Sequence, residues 1–362
     1  MFNFALGIFL FLSPIIVLVG FPARVNGQVM ALQFYQFKTI SFNNNILQFQ
    51  FFQYGIIALF ILALSRKSVR EFRDKYFAGF LGLCALSVLF HPKTINAFLP
   101  IFLGSLLYYL VVAYTVNIKP LLYSIIFVSI LNTIAAVLQF FGIPVIYKYA
   151  GLMCSMSHLG AYQAIAIPVC WAINPYLSII PLIGLLLSKS LTPFLALLVG
   201  LVYLWYPQRR KIIINLALMG LIALTGISIV FLARVSQSAT YKLSLRADIW
   251  FDVIRQIFRH PWIGAGLGTF SAVTPMGLAE WIYNEYLSIA FYSGIPALIC
   301  LMMFLKDRFT FGRVDLSRCI AASCLILAII CLGQSPMHFA RIAGAGIVLL
   351  GFAEITKTEV VI

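Results

Sequence analysis

The stretch LLYSIIFVSILNTIAAVLQFF, residues 121–141, decides the fold class. It carries no charged residue, and it matches the roughly 20 apolar residues that one helix needs to cross a bilayer core. Only Asn132 and Gln139 stand out in it. Residues 98–118 and 212–233 repeat the pattern, again without a charge. Across its 362 residues the chain is 62% hydrophobic and 10% charged, with mean hydropathy +1.02. A soluble domain is roughly 45–50% apolar and about 25% charged. The composition therefore excludes a water-soluble globular protein, a disordered chain, a collagen and a disulfide scaffold. The expected fold is all-α, a polytopic transmembrane helical bundle.

Twelve spans are predicted, at 4–20, 46–65, 76–90, 98–118, 121–141, 160–174, 176–188, 191–206, 212–233, 286–304, 318–333 and 341–353. The pair 160–174 and 176–188 is short and meets at Asn174-Pro175, so a re-entrant pair is the alternative there. The N-terminus lacks a basic region and a small-residue cleavage site and reads as a retained span. With that terminus in the cytoplasm, the short inner loops hold 14 basic residues and the short outer loops 6. This asymmetry supports the orientation, and it explains part of the net +15 without nucleic acid. The seven cysteines form no CxxC and no Cys/His cluster, so neither a disulfide framework nor a zinc site is expected. No internal repeat is visible.

Three regions follow: a bundle of nine spans over 1–233, an outer loop over 234–285, and three spans with a cytoplasmic C-terminus over 286–362. The loop concentrates the outward chemistry. It holds Arg234, Lys242, Arg246, Arg255 and Arg259 with Asp248, Asp252, Glu280 and Glu285. No acidic residue lies between Asp74 and Asp248. Outward loops normally avoid basic residues, and ionisable groups near a bilayer are costly and often functional.

Within the loop, Arg246–Arg259 reads as an amphipathic helix lying flat at the membrane interface. Asp248, Asp252, Arg255 and Arg259 share one face, and Trp250, Ile254 and Ile257 another. His260-Pro261 ends it. The arginine forks suit phosphate oxygens; plain anchoring to anionic lipid is the alternative. The following GAGLGTF, with Gly264, Gly266 and Gly268, lacks the GxGxxG spacing of a dinucleotide site. It reads as a tight turn that brings backbone close to a packed helix or to a phosphate. The four histidines, His91, His158, His260 and His338, are scattered. His338, near Arg341 at the outer end of the last span, is the one placed to join an outer site.

The stretches RADIWFDVIRQIFRHPWIGAGLGTF (246–270) and WIYNEYLSIAFYSG (281–294) resemble the signature region of the O-antigen ligase and O-antigen polymerase superfamily. The residues that carry the likeness are Arg246, Trp250, Pro261, Gly264, Gly266, Asn284 and Gly294. LSKSLTPFLALLVG (187–200) resembles the superfamily's Ser-x-Ser span. The resemblance implies a GT-C-like, metal-independent membrane glycosyltransferase without cofactor. It would sit in the bacterial inner membrane with its active site facing the periplasm, acting on oligosaccharide carried by undecaprenyl pyrophosphate. A chain-length regulator is a further candidate partner. In the ligases a histidine implicated in catalysis precedes the Asn; here Tyr283 stands there, and a phenol is a poor base at neutral pH. That departure puts polymerase first, with ligase or protein (pilin) O-oligosaccharyltransferase as alternatives.

Such a reaction needs positive charge where pyrophosphate departs. Arg234, Arg246, Arg255, Arg259 and Arg341, with Asn284, are the expected pyrophosphate-binding set. Glu280 is the expected base, and Tyr283 and His338 are further catalytic candidates beside Arg246 and Arg255. A lipid-linked saccharide transporter or flippase is the reading of another class. It calls for charges at mid-membrane depth, which 98–118, 121–141 and 212–233 lack.

Overall fold

A computed structural model describes residues 2–15, 24–25, 28–29, 53–65, 67–68, 74–115, 117–143, 151–153, 155–205, 237–274, 277–279, 282–309, 315–334, 337 and 340–358. Helices dominate them. In chain order they are α1 (Phe2–Ile15), α2 (Gln53–Leu64), α3 (Lys75–Phe90), α4 (Ile95–Tyr114), α5 (Lys119–Phe140), α6 (Met156–Ile173), α7 (Ile179–Leu187), α8 (Leu191–Trp205), α9 (Gln237–Arg259), α10 (Glu285–Ser293), α11 (Ile295–Arg308), α12 (Asp315–Gly333) and α13 (Ala340–Thr358). A short antiparallel ladder, Ala272–Thr274 with Gly277–Ala279, lies in the segment between α9 and α10.

The all-helical reading stands. Among the described residues, three helical stretches are long and apolar enough to cross a bilayer: Ala97–Tyr114, Lys119–Phe140 and Leu316–Gly333. Shorter apolar helices cover parts of 4–20, 46–65, 76–90, 176–188 and 191–206, while 16–20, 46–52 and 212–233 lie outside the described residues. The predicted span 286–304 is two helices, α10 and α11, broken at Gly294 with φ +87°. Pro296 at the start of α11 has no N–H to continue the ladder. The Ile295 N–H turns to Pro261 O at 2.7 Å instead.

Local chemistry sets several helix starts. Asp74 caps α3, its carboxylate accepting from Tyr76 N and Phe77 N at 3.0 and 2.9 Å. Ser155 caps α6 through His158 N, and Asn284 caps α10 through Leu287 N. The apolar core runs through Leu107, Leu121, Ile165, Ile326 and Phe352. α12 is its central element, packed against α6, α8 and α13. α11 packs on α3, and α13 on α4.

Polar groups inside the bundle answer one another. Ser129 donates to Gln163 Oε1, and Gln163 Nε2 reaches Ser129 O and Thr133 Oγ1, both at 3.1 Å. Gln139 grips the Gly151 backbone with one donated and one accepted bond, at 2.9 and 2.8 Å. Asn132 Oδ1 accepts from Leu152 N at 3.1 Å. Arg308, 2% exposed, joins four helices. It pairs with Asp74 before α3, donates to Tyr108 of α4 at 3.1 Å, and pairs with Glu354 of α13 at 3.1 Å.

Candidate functional site

α9 turns Ile249, Val253 and Ile257 into the protein, where they pack with Phe270, Ile282 and Phe291. Asp248, Asp252, Arg255 and Arg259 face outward together, as the sequence pattern predicts. Ile254 does not join Ile257 inside; it is exposed beside Phe251 and Phe258. At about 100° per residue, it falls on the outer aromatic stripe rather than on the packed face.

The predicted arginine set is therefore divided. Arg255 is exposed and lies 3.6 Å from the exposed Asp252, a pair worth little in water. Nine residues earlier, and about 180° around the helix, Arg246 points inward. Its Nη1 donates to Gly333 O at 3.2 Å, and its guanidinium lies 4.9 Å from the centre of the Tyr283 ring. Burial pulls its pKa below the ordinary arginine value, opposed by the Tyr283 phenol. Among the described residues no carboxylate pairs with it. A sequestered cation without a counter-ion is a ready site for an anion.

Tyr283 holds a left-handed backbone, φ +57°. That conformation costs a bulky residue about 1–3 kcal/mol. Its neighbours hold it in place. Trp250 Nε1 donates to Ile282 O at 2.7 Å. Asn284 Oδ1 caps α10 while its Nδ2 donates to Leu332 O at 2.9 Å. Glu285 Oε1 accepts from Met337 N at 2.9 Å.

These contacts converge on the C-terminal end of α12, at Leu332, Gly333 and Gln334. The corner between α7 and α8 arrives there too. Ser188 Oγ donates to Leu185 O at 2.6 Å, and Ser190 N donates to Ser188 Oγ at 3.3 Å. Between them Lys189 is exposed and left-handed, φ +50°. Ser190 Oγ meets Gln334 Nε2 at 3.4 Å. Lys189 and Tyr283 are the two non-glycine residues with positive φ among the described residues, and the polar end of α12 lies beside both corners.

The glycine turn is a packing device, one of the two readings its sequence allows. Ala265 N and Gly266 N donate to Phe291 O and Tyr292 O, at 2.7 and 3.2 Å. A Cβ on Gly264 would run into the Tyr292 carbonyl, and one on Gly294 into the Trp262 carbonyl. His91 fills the space beside Gly266.

Of the expected site residues, Arg246, Tyr283 and Asn284 come together, while Arg255 and Arg259 face away. Glu280, Arg234 and His338 lie outside the described residues, and so does the side chain of Arg341 in the first turn of α13. Lys189, Gln334 and the inward role of Glu285 were not anticipated. The Ser-x-Ser spacing was the one hint of the first. Among the described residues, no three His, Cys, Asp or Glu side chains gather as a metal site.

The family model described as O-antigen ligase matches residues 176–302, the segment holding Lys189, Arg246, Tyr283 and Asn284. An O-antigen ligase of Pseudomonas aeruginosa is 31% identical over 151 residues, 39% of this chain and 36% of that protein. The match thus spans about a third of the curated relative's length. Through this central segment the chain resembles the O-antigen ligase and O-antigen polymerase superfamily of membrane glycosyltransferases, as its motifs indicate.

Proposed function

We propose that this protein is a membrane glycosyltransferase that moves a saccharide from a polyprenyl-diphosphate carrier to an acceptor glycan at the outer face of the bacterial inner membrane. The observation that carries the reading is Arg246. It is an inward-facing cation without a carboxylate partner among the described residues, set on a strained Tyr283 inside the segment matched by the O-antigen ligase model.

An acceptor hydroxyl attacks the anomeric carbon of the donor sugar, the C–O bond to the diphosphate breaks, and the lipid diphosphate leaves. Diphosphate is a good leaving group once its charge is met, so the protein's main task is electrostatic. Arg246 meets that charge, and Lys189 supplies a second cation at the neighbouring corner. Arg255 and Arg259, beside exposed Phe251 and Phe258, face lipid headgroups. Asn284 fixes the α10 start below Tyr283. Glu280 takes the acceptor's proton, and His338, Arg234 and Arg341 complete the proposed set. The satisfied polar network within α5 and α6 supports chemistry at the rim over a transport path through the bundle.

The description of the matched family and the name of the relative favour ligase-type transfer to a lipid-borne acceptor. Tyr283 favours the second reading, polymerase, because it stands where the ligases carry histidine. Purified protein, given a defined polyprenyl-diphosphate oligosaccharide with and without a lipid A–core acceptor, separates the two. Product on the core alone means ligase; lengthening of the carrier-bound glycan means polymerase. No transfer to either acceptor overturns the proposal.

A further inference from the structure

Gln334, just past the last turn of α12, carries an incomplete set of hydrogen bonds. The residue is 9% exposed. Its backbone N–H donates to Ile330 O at 3.0 Å, and its Nε2 lies 3.4 Å from Ser190 Oγ. Its Oε1 is buried and, among the described residues, accepts no hydrogen bond. An amide oxygen left in that condition has lost its hydration without a replacement partner. Exchanging the amide oxygen and nitrogen does not cure it: Ser190 would then donate to the oxygen and leave the NH2 group without an acceptor.

The orphan sits next to the Arg246 contact. Gln334 follows Gly333, whose carbonyl receives Arg246, and consecutive Cα atoms are about 3.8 Å apart. Lys189, left-handed and exposed, precedes the serine that tethers the amide. The Ser190 contact is at the long limit of a hydrogen bond, so it holds the amide weakly.

We infer that Gln334 determines donor specificity: its Oε1 accepts a hydrogen bond from a hydroxyl or acetamido N–H on the sugar joined directly to the diphosphate. The inference rests on Arg246 holding that diphosphate. An oxygen that can only accept needs a donor. Diphosphate oxygens are themselves acceptors, and a polyprenyl tail offers nothing. The saccharide is the part of the donor that supplies O–H and N–H groups, and its first sugar is the part within one residue's reach of the arginine contact.

The test is a panel of polyprenyl-diphosphate disaccharides in which each hydroxyl or acetamido group of the first sugar is replaced in turn by hydrogen. The full chain, Gln334→Met and Gln334→Glu are assayed for kcat/KM. Wild type loses at least about tenfold on one member, because a site built to bond a polar group rejects its deoxy analogue. Gln334→Met brings that member within about threefold of the parent donor, and Gln334→Glu, which keeps an acceptor oxygen, retains the preference. A wild type that handles every donor within threefold overturns the inference, as does a Met variant that slows all donors equally. Should Gln334→Met fail to fold, wild type and Gln334→Glu decide by the same criteria. A wild type that transfers no donor at all overturns the glycosyltransferase reading instead, and this inference with it.

Discussion

Arg246 stacks on Tyr283, and two substitutions separate the roles proposed for them. Arg246→Ala removes the inward cation and should lower glycan transfer by about 10²–10³-fold, the loss typical of one charge-stabilising donor. Membrane yield of the variant is measured alongside; wild-type transfer at equal yield would exclude a diphosphate role. Tyr283→Phe keeps the ring under the guanidinium and removes only the hydroxyl, so activity should stay within about threefold of wild type. A loss of a hundredfold would move Tyr283 from a stacking platform to a proton-transfer group. At this scale the sequence showed Arg246, because an arginine four residues before a tryptophan is visible as text. It did not show Lys189 or Gln334. One is marked by a backbone angle and the other by an unmet bond, and both features arise only when segments 144 residues apart meet at Ser190 and Gln334.

Elements, too, were only partly legible. Hydrophobic runs located α3 to α8 to within a few residues, because burial and bilayer length both select apolar text. The 286–304 run was read as one helix, yet Gly294 and Pro296 split it. A run of apolar residues does not reveal where the backbone reverses, and the closing bond to Pro261 O belongs to a distant turn. That break is what seats the α9–α10 connection. Gly294→Ala should therefore be severe: its Cβ meets the Trp262 carbonyl, and φ +87° strains any side chain. A loss of about 2–4 kcal/mol is expected from collision and backbone strain together. Thermal unfolding in detergent measures it, and an unshifted midpoint would mean that the turn tolerates displacement. The exposure of Ile254 on α9 was not legible for a related reason. Lipid and protein both attract apolar residues, so periodicity alone does not say which apolar residues of a helix pack inside.

For the molecule as a whole, the sequence settled the class and left the membrane crossings open: among the described residues, three helical stretches have the length and composition of a span. Two functional expectations belong at this scale. Transfer by the purified protein should continue unchanged in excess EDTA, because arginine and lysine supply the positive charge at the leaving group; inhibition reversed by a divalent cation would contradict that. Arg308→Ala should destabilise the bundle by about 3–5 kcal/mol, since it strands the nearly buried Asp74 carboxylate and the partly buried Glu354 carboxylate. Size-exclusion profiles and melting curves of the detergent-solubilised protein report this, while Arg308→Lys recovers part of the loss.

The Arg308 cluster also dictates an order of events during biosynthesis. Asp74 and Arg308 are 234 positions apart, and Glu354 comes later still. Because a chain is made from its N-terminus, Asp74 waits without its partner until Arg308 has been synthesised, and the cluster is complete only once Glu354 has followed.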